Sequence, residues 1–127
     1  QFTVIQNTSR KLQISVSQGY QDYPAASDFL NILFGCGSFK PGSDSSVNIA
    51  GFCDKENQGK MDEALALAIT DQAAADKLWS QIDRAVMEKA PAVPLFTPKR
   101  VDFVSKRLGN YKFNAQYYWI VTQSWVQ

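Results

Sequence analysis

Few side chains of this sequence could build a catalytic centre. The chain of 127 residues contains no histidine. A histidine general base, a Ser-His-Asp triad, a Cys-His pair and a histidine metal site are therefore excluded. Two cysteines alone cannot form a structural zinc site. Because no other set of residues has catalytic spacing, we expect that the protein is not an enzyme and uses no cofactor.

Acidic side chains in the middle of the chain raise the question of a calcium site. Their spacing does not match an EF-hand loop, so we interpret them as solvated charges on loops and helices and predict no metal site. The acidic residues concerned are Asp44, Asp54, Glu56, Asp62 and Glu63.

The charge balance argues against nucleic acid as a partner. The chain has 13 Lys and Arg residues against 12 Asp and Glu, a formal net charge of +1, whereas a phosphate-binding surface needs a clear basic surplus. A hydrophobic fraction of 45% and a charged fraction of 20% are ordinary for a globular protein. No apolar run reaches the length of a membrane span.

Cys36 and Cys53 lie at the two ends of a polar segment that is rich in Gly, Ser and Asp. That composition is typical of an irregular loop. Loops of this length are uncommon in compact domains unless something stabilises them or they have a function. A disulfide at its base would stabilise the loop, and it would indicate an exported protein. Two unpaired thiols in a cytosolic protein are the alternative.

The first third of the chain predicts strands followed by a short helix. Residues 12–17 alternate strictly between apolar and polar types, which is the mark of a half-buried strand, and residues 2–5 are a weaker strand candidate. Residues 19–26 contain Gly, Asp, Tyr and Pro and predict a loop. Ser27 is the expected N-cap of a helix over residues 29–34.

Two further helices follow the polar loop. The first is expected from Asp54 or Glu56 to about Ile69, with an apolar stripe. Thr70 and Asp71 should end it and cap the next helix, over residues 72–89, which has the clearest stripe of the chain. The first stripe comprises Met61, Ala64, Leu65, Ala68 and Ile69, and the second Ala75, Leu78, Trp79, Ile82, Val86 and Met87.

The C-terminal part predicts strands. Pro91 and Pro94 stop the preceding helix and favour an extended path. Residues 101–105, 111–113 and 117–122 have strand composition, Gly109 and Asn110 indicate a turn, and the aromatic C-terminus is expected to be buried. Helices between strands predict an α/β fold class.

Four segments in series resemble extracellular solute-binding proteins of family 5, the peptide and nickel receptors of ABC importers. They are Asp-Tyr-Pro-Ala-Ala-Ser-Asp-Phe-Leu at residues 22–30, Phe-Cys-Asp at 52–54, the Asp…Leu-Trp…Ile-Asp…Ala-Pro-Ala-Val-Pro stretch at 71–94, and Phe-Val-Ser-Lys-Arg-Leu-Gly-Asn-Tyr at 103–111. One departure is Gly19, where members of the family often have Trp. Whole receptors are also much longer than this chain.

The resemblance implies the C-terminal part of a two-lobed, periplasmic-binding-protein-like fold of class II, the peptide-receptor type. Residues 1–97 would belong to the ligand-binding lobe, and residues 98–127 would be C-terminal strands that return toward the other lobe. The implied ligand is a peptide or similar small solute. The full-length parent would be extracellular or periplasmic and membrane-associated, and it would deliver its ligand to the importer's membrane permease.

The resemblance also implies a binding residue, Asp22, whose match in several receptors holds the N-terminal ammonium of a peptide. Backbone groups of Gly19 and Tyr20 could pair with the peptide main chain, and Tyr20 and Tyr23 could form apolar walls with polar tips. The alternative is that Asp22 is a turn residue that bonds its own backbone.

Two other functions remain open at this point. The same lobe could be the sensor of a solute-responsive regulator, although a disulfide would argue against a cytosolic sensor. The chain could also be an independent small secreted binding module. If the chain is part of a receptor, its isolated form is expected to expose apolar surface that normally packs on the rest of the protein, and therefore to self-associate.

Overall fold

The computed structural model describes the backbone of residues 2–127 and the side chains of residues 3–127. The chain divides into two compact units between Val93 and Pro94. The first unit is helical, and the second consists of short strands and extended segments. The α/β class and the division into lobe portions at residue 97 stay predictions.

Four α-helices lie among the described residues of the first unit. They are α1 (Phe2–Ile5), α2 (Ala26–Phe34), α3 (Lys55–Leu67) and α4 (Gln72–Glu88). Asp54 caps α3 by accepting the Asn57 N–H at 2.8 Å, and Asp71 caps α4 by accepting the Ala74 N–H at 3.0 Å. Both predicted starts are therefore confirmed. None of the described helices is both long enough and apolar enough to cross a membrane.

The hydrophobic core of the first unit comes from α2, α3 and α4, and the stripe predicted on α4 is confirmed. The stripe predicted on α3 is only partly right, because Leu65 is 40% exposed and Ile69 is 85% exposed. The helix ends at Leu67, so Ile69 lies outside it and does not continue the buried face. Leu67 packs against the core instead. The buried apolar residues are Leu30, Met61, Ala64, Ala75, Trp79, Ile82 and Val86.

The predicted disulfide is present and closes the polar loop. Cys36 and Cys53 are bonded, with Cα atoms 4.5 Å apart and a sequence separation of 17. Beside the loop, the rings of Phe34 and Phe52 pack edge to face with centroids 6.3 Å apart. A disulfide of this kind fits a protein exported from the reducing cytosol.

The loop has a polar interior of its own. Asn48 and Ser46 are fully buried. The Asn48 amide donates to the carbonyls of Gly35 at 3.1 Å and Phe52 at 2.7 Å, and its oxygen accepts the Phe52 N–H at 3.3 Å. The Ser46 hydroxyl donates to the Asn48 carbonyl at 3.1 Å. Side-chain hydrogen bonds thus satisfy the buried backbone groups of this loop, as backbone hydrogen bonds do between paired strands.

Replacing both Cys36 and Cys53 with serine should lower the free energy of unfolding by about 3 kcal/mol, because the unfolded chain regains the freedom that the closed loop removes. Urea unfolding of wild type and double variant, each with and without a reductant, measures the loss. The reductant should destabilise only the wild type. Two titratable thiols in the unreduced, denatured wild type would contradict the pairing.

An ion pair joins the start of α3 to the end of α4. The Lys89 ammonium, at the C-cap of α4, bonds the carboxylate of Asp54, the N-cap of α3. Asp54 thus holds one backbone N–H with one oxygen and Lys89 with the other. The pair fixes the two ends of the α3–α4 hairpin to each other.

The strands expected near the N-terminus are not formed. Residues 2–5 are helix α1, and residues 12–17 belong to no described helix or strand. None of the described backbone hydrogen bonds reaches residues 12–18. No described neighbouring strand therefore directs their alternating side chains toward a core. Ile14 is consequently 90% exposed. Self-association through such apolar surface stays a prediction.

Two small antiparallel pairs form the second unit. Strand β1 (Leu108–Gly109) pairs with β4 (Trp125–Val126), and β2 (Phe113–Asn114) pairs with β3 (Tyr118–Trp119). A Cβ atom at Gly109 would overlap the Trp125 indole, which explains glycine there.

The predicted C-terminal strands are shorter than expected or absent. Residues 101–105 belong to no described strand, and the strand expected at 117–122 is limited to Tyr118–Trp119, since a 3-10 helix begins at Val121. The turn predicted at Gly109 and Asn110 is only partly right, because Asn110 bends with a left-handed φ of 55° while Gly109 belongs to strand β1. The expectation of a buried aromatic C-terminus is wrong, because Tyr117 is 71% and Trp125 is 55% exposed.

Candidate functional site

The loop that leads into α2 carries all four residues predicted to contact a ligand. Gly19, Tyr20, Asp22 and Tyr23 are exposed, and residues 22–25 bend directly before the first turn of α2. Tyr20 has 68% and Tyr23 41% of its surface exposed. The loop therefore places a carboxylate and two phenol rings where a ligand can reach them.

The position of the loop is fixed by Asp28, a buried residue of the first turn of α2. Its Oδ2 atom accepts the backbone N–H of Asp22 at 2.7 Å and, more weakly, that of Tyr23 at 3.4 Å. Asp28 is only 7% exposed. A carboxylate near a helix N-terminus is also favoured by the helix dipole. Asp28 thus holds the backbone at Asp22 while the Asp22 side chain stays exposed.

The N-cap predicted at Ser27 is wrong. The N-cap of α2 lies two residues earlier, at Ala25, and makes no side-chain cap bond. The Ser27 hydroxyl is buried and lies 3.2 Å from the Tyr23 hydroxyl. Ser27 thus shares a hydrogen bond with Tyr23. Asp28, and not Ser27, accepts hydrogen bonds from the backbone that precedes the helix.

A shallow groove begins at Ala26, directly after the loop. It has a volume of about 350 Å³ and runs between α2 and α4, with Phe29 on one wall and Asp76, Trp79 and Asp83 on the other. Two carboxylates beside aromatic surface give this groove a negative potential and an apolar floor, which suits a positively charged group on an apolar body.

Asp22 can accept a charge-assisted hydrogen bond from an ammonium group. In full contact with water such a pair contributes little, because the exposed charges are well solvated. The same pair becomes stronger when a bound ligand or a covering surface excludes water. Asp22 is therefore suited to recognise an ammonium in an enclosed complex rather than on a bare surface.

Sequence reasoning missed Asp28, which holds the site in place. Its signal was present, because Asp28 follows the N-cap Ala25 by three residues, the spacing at which an acidic side chain reaches back over a helix start. The interpretation of Ser27 as the cap concealed it. Asp76 and Asp83, in contrast, had no signal in the sequence, since the groove arises from the packing of α2 on α4.

No family model matches the sequence, and neither a search of curated proteins nor a search of solved structures finds a similar chain.

Proposed function

We propose that this chain is a ligand-binding portion of an ABC importer substrate-binding protein for peptides or similar small solutes. The four segments that resemble family 5 receptors support this proposal. The observation that carries it is the bond between Asp28 and the backbone of Asp22. This bond fixes the backbone that carries the exposed carboxylate, which favours a defined geometry for binding.

In this proposal the peptide's N-terminal ammonium binds to Asp22. Tyr20 and Tyr23 flank the ligand and contribute apolar ring faces, and backbone groups at Gly19 and Tyr20 pair with its main chain. In the full-length receptor a second lobe would close over the ligand, exclude water and strengthen the ion pair.

The disulfide helps to distinguish the proposed receptor from one of the two other candidate functions. A sensor lobe of a cytosolic regulator is disfavoured, because structural disulfides are rare in that compartment and Cys36 is bonded to Cys53. A small secreted binding module shares the disulfide and remains the second candidate. Binding that depends on the peptide ammonium favours the receptor over such a module.

Replacing Asp22 with asparagine should weaken the binding of trialanine, whose N-terminus is free, by about thirtyfold, since a charge-assisted hydrogen bond contributes about 2 kcal/mol. Asparagine keeps the size and the turn propensity of aspartate but not its charge. Calorimetric titration in a longer protein that contains this chain, with a second lobe that closes over the ligand, measures the change.

Two controls identify the cause of the loss. N-acetyl-trialanine has no ammonium, so Asp22→Asn should hardly change its weak binding. Asp44→Asn removes a charge from an exposed loop residue and should affect neither peptide. Equal losses for both peptides in Asp22→Asn would show that Asp22 serves the turn and not the ligand.

A further inference from the structure

The second unit contains a concave surface that the proposed function does not use. Its volume is about 410 Å³, and arginine, aspartate and aromatic side chains meet there. A volume of this size lies in the range of small-molecule sites, roughly 300–1,000 Å³. The residues used below are Arg100, Asp102, Phe103, Arg107, Tyr111 and Trp119.

Arg100 is held in a fixed orientation. Its Nε donates to Oδ1 of Asp102 at 2.6 Å, and its guanidinium lies over the ring of Tyr118, 4.3 Å from the centroid. The ring of Phe113 is 5.8 Å away. Asp102 bonds one edge of this guanidinium and the Tyr118 ring contacts its face. The side chain therefore loses little additional conformational entropy when its terminal nitrogens bind an acceptor.

Asp102 has both carboxylate oxygens engaged. Oδ1 accepts from Arg100, and Oδ2 accepts from the Tyr111 hydroxyl at 2.7 Å. The Tyr111 bond and then the Arg100 bond hold the pKa of Asp102 below its ordinary value, so the carboxylate is charged at neutral pH. The carboxylate is thus committed to positioning Arg100 and is poorly placed to receive a cationic ligand.

The polar groups left for a ligand are therefore donors. Arg100 and Arg107 offer the N–H groups of their terminal nitrogens, since the hydrogen bonds described for both residues use Nε, that of Arg107 reaching the Gln127 carbonyl at 3.2 Å. Apart from Ser105, whose hydroxyl accepts the backbone N–H of Arg107 at 3.2 Å, the remaining walls are apolar, with Phe103 and Trp119 among them. A site of donors on an apolar surface recognises an acceptor group carried by an apolar body.

We infer that this concavity, here called the Arg100 site, binds a carboxylate attached to an aromatic or branched apolar group. The carboxylate accepts from the terminal nitrogens of Arg100, and its oxygens match the planar guanidinium fork. The apolar body lies against Phe103 and Trp119. This inference concerns the second unit alone and does not depend on the proposed role of Asp22.

Phenylacetate tests the chemistry of the Arg100 site, with phenylacetamide and phenethylamine as neutral and cationic analogues. NMR titration of the whole chain should show a saturable shift of the Trp119 indole N–H, which donates to Ser124 Oγ at 2.7 Å in the free protein. The buried Trp79 should not respond. Phenylacetate should bind about tenfold more tightly than the amide, in line with the extra strength of a charged hydrogen bond.

Three variants complete the test. Arg100→Gln should weaken phenylacetate binding about tenfold, and Arg84→Gln, an exposed arginine of α4, should change it less than about twofold. Arg107→Gln leaves the Arg100–Asp102–Tyr111 network intact, so a several-fold loss there supports the inference even if Arg100→Gln does not fold. Equal binding of acid and amide, tightest binding of the amine, concerted shifts of Trp79 and Trp119, or no saturable shift would each overturn it.

Discussion

Ile82→Ala is expected to lower the free energy of unfolding by about 2–5 kcal/mol, the range found when a buried isoleucine or leucine is truncated. Ile82 has no exposed surface and lies on the buried face of α4 between Trp79 and Val86. Alanine would lose the transfer free energy of three methylene or methyl groups and leave a cavity. The core contains only seven buried apolar side chains among the described residues, so few neighbours can move in to fill it.

Ile69→Ala is the matched control, because it deletes the same atoms from a residue that is 85% exposed. Its expected effect is within about 0.5 kcal/mol. Urea unfolding of the two variants and the wild type, followed by far-UV circular dichroism, measures both. Similar losses in the two variants would mean that the buried face of α4 is not the core of the protein.

Asn48→Asp is expected to cost about 3–5 kcal/mol at neutral pH, the penalty of an uncompensated buried charge. The side-chain nitrogen of Asn48 donates to two carbonyl oxygens, of Gly35 and Phe52. Aspartate has the same shape, but it would place a carboxylate oxygen against those two acceptors. The substitution thus removes two hydrogen bonds and adds repulsion without changing the packing volume.

The loss caused by Asn48→Asp should shrink at acid pH. Burial raises the pKa of the introduced carboxyl, and its protonated form can donate one of the two lost bonds. Gln81→Glu makes the same change from amide to carboxylate on the exposed side of α4 and should stay within about 0.5 kcal/mol. A neutral-pH loss as small as that of Gln81→Glu would show that Asn48 does not organise the loop.

Local signals in the sequence were sufficient for helices α3 and α4, but not for α1, which was predicted as a strand. Asp71 and the periodic stripe around Trp79 and Ile82 determine α4 within a single stretch of chain, and the two cysteines mark the ends of one loop. The strand predicted at residues 12–17 is not formed. Alternation describes the two faces of an extended segment, whereas a strand also needs a hydrogen-bonded neighbour, which no local pattern supplies.

The candidate site shows the same limit. The resemblance directed attention to Asp22 and Tyr23, but the loop is held by Asp28, whose role depends on where α2 begins. Asn48 is a similar case, because Asn in a Gly- and Ser-rich loop normally indicates a turn. Only the folded loop shows that its amide is enclosed and bonded on every side.

The bond between Asp54 and Lys89 gives the α3–α4 hairpin a sensitivity to acid. The Lys89 bond, followed by the Asn57 N–H, lowers the pKa of Asp54 from its ordinary 3.8. A lowered carboxyl pKa in the folded state contributes stability that is complete above the unfolded pKa and disappears as the pH falls through the folded one. The thermal midpoint should therefore drop below about pH 4. Asp54→Asn, which retains the cap without the charge, should flatten that part of the profile, and an unchanged profile would assign the acid sensitivity to other carboxylates.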